Sequence, residues 1–169
     1  MSSPTWSSIK RVKLLSTIEY SAFCTWVRES NSLWAYPGIL FMHTLGTAMV
    51  VGVSAMVDLR LLGFARQLPM APLERYFPII WAGFWVSAIS GTILFAADAT
   101  SKIVSPLFGM KMLLIVVGVL TMVLIRRTVL RDPAGEASVS GRARWLAAAS
   151  LVLWFAAITA GRLMAYIAL

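Results

Sequence analysis

The stretch PGILFMHTLGTAMVVGVSAMV, residues 37–57, holds no Asp, Glu, Lys or Arg. As a helix it would rise about 31 Å, and the hydrocarbon core of a bilayer is about 30 Å thick. Lipid offers no partner to backbone amides, so a lone span has to close its own hydrogen bonds as a helix. Three further runs read the same way: FPIIWAGFWVSAISGTILFAA (77–97), LFGMKMLLIVVGVLTMVLI (107–125) and WLAAASLVLWFAAITAGRLMAYIAL (145–169). Pro37, Pro78 and Pro106 stand at the starts of the first three runs, where a missing N–H costs nothing. The sequence predicts an all-α integral membrane protein, an antiparallel four-transmembrane-helix bundle over residues 37–169. Residues 1–36 form a tail and, on the recurrence of Ile9, Val12, Leu15, Ile18 and Ala22, an amphipathic helix lying on the membrane surface.

Composition agrees. Of 169 residues, 59% are hydrophobic and only 13% charged, about half the charged share of a soluble domain. Mean hydropathy is +0.80. The net charge of +8 is carried between the apolar runs, so it suits anionic lipid headgroups and topology rather than nucleic acid. The single cysteine, Cys24, makes no internal disulfide and no CxxC pattern. Lys10, Arg11 and Lys13 precede no apolar core and no A-x-A site, so no cleaved signal peptide is expected.

The basic residues set an orientation. Arg60, Arg66, Arg75, Arg126, Arg127, Arg131, Arg142 and Arg144 fall on one side; Lys10, Arg11, Lys13, Arg28 and Lys102 fall on the other. The arginine-rich side is expected to be cytoplasmic. Both termini are then expected on the periplasmic side of a bacterial inner membrane.

With spans alternating in direction, the polar residues inside lipid converge. His43, the only histidine, lies six residues beyond Pro37, about 9 Å into the span. Lys111 enters the third span, Arg162 leaves the fourth and Asp98 closes the second. All four belong to one leaflet. Ionisable groups in lipid cost about 2.5–3.5 kcal/mol each on insertion scales, so a shared site is one reading. Snorkelling of Lys111 and Arg162 to the headgroups, and a plain interhelical hydrogen bond from His43, are the other. Met42, Met110, Met112 and Met164 share that level, as apolar filler or as soft ligands to heme iron or Cu(I). Gly46, Gly52, Gly83, Gly91 and Gly118 read first as close helix contacts and second as room for a flat cofactor. Trp81, Trp85 and Trp154 lie deep enough to line a cofactor pocket. No Ser-His-Asp, Cys-His, Walker or dinucleotide-glycine motif is present, which leaves hydrolase and nucleotide-enzyme classes without support.

His43, the DLRLLG at 58–63, the FGMKMLL at 108–114 and the GRLMAY at 161–166 together resemble a set of bacterial four-helix membrane proteins. That set is similar to the superfamily of CopD-type copper-resistance membrane proteins and J-type protoporphyrinogen oxidases. The resemblance covers about residues 37–125 well and the last span less well. It implies that His43 binds b-type heme and that Arg60 and Lys111 match family positions. The J-type oxidases carry a further histidine in a later span; this chain has none.

The function expected is therefore a b-type heme-binding membrane protein in electron transfer or redox chemistry at one membrane face. His43 is its metal ligand, and Lys111, Arg162, Asp98, Arg60, Met112 and Met164 complete the cofactor site. A lone histidine leaves the sixth position open, or filled by methionine or by a second copy's His43. Copper binding or passage is one alternative. A non-catalytic subunit or an anion or quinone carrier is the other. The partners expected are lipids, a quinone or redox protein, and a second copy of the chain.

Overall fold

The structure, a computed structural model, describes residues 6–64, 67, 69–130 and 140–167. It is all-helical, and no strand occurs among the described residues. The elements are α1 (Trp6–Glu19), α2 (Ala22–Glu29), α3 (Tyr36–Leu62), α4 (Phe77–Ala96), α5 (Ala99–Ile103), α6 (Pro106–Ile125) and α7 (Gly141–Ile167). Four helices are long and apolar enough to cross a membrane: Tyr36–Leu62, Pro72–Ala96, Pro106–Leu130 and Gly141–Met164.

Helix α3 outruns its expected end by a turn and a half. Val57, Asp58 and Leu61 are buried there, and Val57 and Leu61 pack with Leu73, Ile125 and Ala147. Gly63 then takes φ 101°, and its left-handed conformation, which glycine adopts without Cβ strain, stops the helix. The connection to the second span ends in a 3₁₀ turn, Ala71–Tyr76. The connection between the second and third spans holds α5, and α6 runs on into a π turn, Arg126–Leu130. Residues 131–139, in the middle of the polar linker, lie outside the described residues.

The N-terminal segment differs from expectation. It is two helices rather than one, because the Ser21 side chain accepts the Cys24 amide and starts α2 afresh. Leu14 and Ile18 are exposed, whereas Glu19 is buried at 7% exposure. Polar contacts to α5 hold α1, through Glu19 and Thr100.

Contacts between the long helices fix their neighbours. Gly46 meets Gly83 and Ser87, while Val50 meets Gly83 and Ile80. Partners on α4 thus descend as α3 ascends. A Cβ on Gly46 would sit 2.6 Å from the Gly83 oxygen, so these two backbones touch because neither residue has a side chain. On the other side Lys111 lies against Gly161, and Gly118 against Trp154. Helix α3 also packs on α7, whereas α4 and α6 barely meet. They are bridged at one end by the Phe95–Phe108 stack. At the other, Arg126 lies over the Phe77 ring and pairs with Glu74 at 3.2 Å. Beside the Arg126 bridge, at the arginine-rich end, lies a cleft of about 320 Å³ that neither His43 nor Lys111 lines.

Candidate functional site

His43 projects from α3 against α4, half-buried. Its Nδ1 lies 2.9 Å from the backbone oxygen of Ser87. A carbonyl can only accept, so Nδ1 carries the proton and Nε2 keeps its lone pair. The Ser87 and Ser90 hydroxyls stand 3.3 and 3.4 Å from Nδ1. Thr47 ties the same turn down, with Oγ1 3.0 Å from Ser87 Oγ and 2.8 Å from the His43 carbonyl. Gly91 makes room for the ring: a Cβ there would lie 2.9 Å from His43 Cε1. An imidazole pinned at one nitrogen by a backbone carbonyl, with the other nitrogen free, is the arrangement by which proteins orient metal-ligating histidines.

Lys111 reaches the same region from α6. Its stem lies along α7, with Cε and Nζ 3.5 Å from where a Gly161 Cβ would stand. No carboxylate or carbonyl among the described residues accepts from its ammonium. The pair offers a lone-pair nitrogen, which wants a metal or a donor, and a half-buried cation, which wants an anion.

The other candidates go elsewhere. Asp98 pairs with Lys102 at 3.4 Å, and Lys102 also donates to the Leu94 carbonyl at 3.1 Å. Arg162, next to Gly161, is exposed. Arg60 lies at the far end of α3, 17 residues from His43, about 25 Å along the axis. Met112 is 39% exposed, as Met42 and Met110 also are at 41% and 47%; Met164 is half-buried. No group of three or more His, Cys, Asp or Glu able to hold a metal occurs among the described residues.

The cleft is lined by Phe77, Ile80, Trp81 and Phe84 of α4 and by Val119, Met122 and Val123 of α6. Val50 and Trp154 form its floor, and Arg126 and Arg127 its rim. His43 stands seven residues before Val50 on α3, two turns away on the same face. Trp81 and Trp154 thus take the expected pocket-lining place, whereas Trp85 is 60% exposed. Gly46 and Gly83 serve backbone contact, and Gly52 meets nothing within 4 Å.

Sequence reasoning missed Ser87, Ser90 and Thr47. Their signal was there: two serines three apart at the same depth as His43, in an otherwise apolar span, share a helix face. Comparison with protein-family models, with curated proteins and with solved structures gives no match.

Proposed function

We propose that this chain is a membrane-embedded b-type heme protein in which His43 would hold the iron. The observation that carries the reading is the pinned imidazole, Nδ1 on the Ser87 carbonyl and Nε2 open, beside a lysine that lacks an acceptor. Heme meets both demands at once, since it brings iron for the nitrogen and propionates for the ammonium. Its flat apolar body suits the aromatic walls between α4 and α6. When bound, it would supply one-electron redox chemistry. This chain would orient the ligand through Ser87, neutralise a carboxylate through Lys111 and exclude water through Trp81, Phe84 and Trp154. With one histidine per chain, a second copy's His43 is the natural candidate for bis-histidine ligation.

Copper suits the site less, because the Lys111 charge repels a cation and the methionines at its level are spread over exposed faces. A quinone is the second reading. A quinol hydroxyl can donate to Nε2, and Lys111 can donate to the opposite oxygen. The resemblance to the CopD and J-type superfamily points the same way as the histidine. We place the four helices as an antiparallel bundle in a bacterial inner membrane, with α1 and α2 on the surface at the His43 end.

Visible spectra of the detergent-purified protein, oxidised and then dithionite-reduced, test the proposal. The expected result is a Soret band with sharp reduced α and β bands, lost in His43→Ala and weakened in Lys111→Ala. A featureless spectrum from heme-replete cells overturns the heme reading, and co-extraction of a quinone would then favour the second.

A further inference from the structure

A second polar site lies away from His43. Asp58 sits 15 residues further along α3, about 22 Å along the axis, near the arginine-rich face. Its relative exposure is 0%, as is that of Ser54 and of Ser150. Neither carboxyl oxygen of Asp58 makes a hydrogen bond, and neither does Ser150 Oγ. Ser150 stands one turn along α7 from Ala147, which packs with Val57 and Leu61 on either side of Asp58. Most serines inside helices donate to the carbonyl four residues back, as Ser54 does to Val50 at 2.6 Å. Ser150 does not, so its hydroxyl is left for Asp58.

Among the described residues, those buried around it supply no counter-charge. At this level the buried residues are Val57 and Leu61 on α3, Ile125 on α6, Ala147 on α7 and Leu73 from the 3₁₀ turn. Met122 of α6 receives the Ser54 hydroxyl at 2.9 Å. None of these titrates or carries charge. Arg60 is two residues on, about 200° around the helix. A lone carboxylate in such a place costs several kcal/mol, so it has to take up a positive partner from outside.

We propose that Asp58 and Ser150 form a proton-binding site serving the arginine-rich face of the membrane. The carboxylate takes one proton, the new O–H donates to Ser150 Oγ, and release returns the proton to the same face. A sodium ion fits worse. It needs more oxygen ligands than one carboxylate and one free hydroxyl supply, and α3 and α7 are unbroken at this level, so their carbonyls are committed to helix bonds. Towards His43 the next buried cluster is Val50, Phe77, Ile80, Met122 and Trp154, none of which titrates.

The test is pH-perfusion infrared difference spectroscopy on the full chain in liposomes. The expected result is a protonated-carboxyl C=O band at neutral pH that disappears reversibly as the pH is raised. It should be missing from Asp58→Asn, and in Ser150→Ala it should shift to the higher frequency of a carbonyl whose acid group has lost its partner. Should Asp58→Asn fail to fold, the Ser150→Ala shift decides alone. Three results would each overturn the proposal: a band that survives Asp58→Asn, a band that never titrates, or a band abolished by sodium at constant pH.

Discussion

Gly91 sets how His43 stands. In Gly91→Ala the new methyl would lie 2.9 Å from Cε1 and 3.1 Å from Nδ1, and the ring has to turn away from the Ser87 carbonyl. Overpacking costs about 1–3 kcal/mol and the lost hydrogen bond about 1 kcal/mol. We expect a lower unfolding midpoint together with a weakened Soret band. Gly52→Ala, which meets nothing within 4 Å, should change neither. Equal effects from both variants would dismiss Gly91 as a positioning residue. Gly46→Ala is a third case, because its Cβ would strike backbone at 2.6 Å. It should force α3 from α4 and lower stability more than Gly91→Ala does. At this scale His43 and Lys111 were legible, since an ionisable group in an apolar run announces itself. The Ser87 carbonyl was not, because a backbone oxygen leaves no trace in a sequence. Asp58 was legible as a residue but not as a buried one. It stood one residue past the expected end of the first span, and the extension of α3 is what carries it inside.

At the scale of elements, the polar clasp around Glu19 decides how α1 and α2 sit over the His43 end. Glu19 Oε2 accepts from the Thr100 amide at 2.9 Å and its hydroxyl at 2.7 Å. Arg28 stands 3.7 Å from the other carboxylate oxygen and donates to the Ala97 carbonyl at 3.1 Å. The Thr100 hydroxyl and amide, helped by the Arg28 and Lys102 charges, hold the Glu19 carboxyl below the usual glutamate range. A lowered folded value means stability that is complete above the ordinary glutamate value of about 4.3 and is lost as pH falls through the folded value. Protection of amides in α1 and α2, corrected for the intrinsic pH dependence of exchange, should therefore fall on acidification below about pH 4, while protection in the four long helices holds. Glu19→Ala should show the same fall in protection at neutral pH, through loss of hydrogen bonds to a charged group worth about 1.5–3 kcal/mol each. Protection in α1 that ignores both pH and the substitution would refute the clasp. The apolar spacing of this segment foretold helix, but the break was signalled only by Ser21, and long-range partners such as Thr100 have no local signature.

At the scale of the molecule, four apolar runs made the class of fold legible, while their order in space was not. Helices apolar on every side carry no face that names a neighbour, so only the contacts reveal that α4 flanks α3, α6 flanks α7 and a cleft separates α4 from α6. Orientation is the part of the architecture that charge alone decides. Arg60, Arg75, Arg126, Arg127, Arg142 and Arg144 gather at the end of the bundle where α3 and α6 finish and α7 begins; Lys13, Arg28 and Lys102 are at the other. Short loops rich in arginine stay in the cytoplasm, so green fluorescent protein inserted at 131–139 should fluoresce. Alkaline phosphatase fused after α7 should be active, since that end is then expected on the opposite side. Arg127, Arg142 and Arg144 are exposed, so replacing the three with glutamine should leave the packing intact while removing much of the bias. A mixed population with both reporters active is then expected. If the unaltered chain gives the opposite pattern, the basic cluster in α1 governs insertion, and the Asp58 site would face the periplasm while the His43 site faced the cytoplasm.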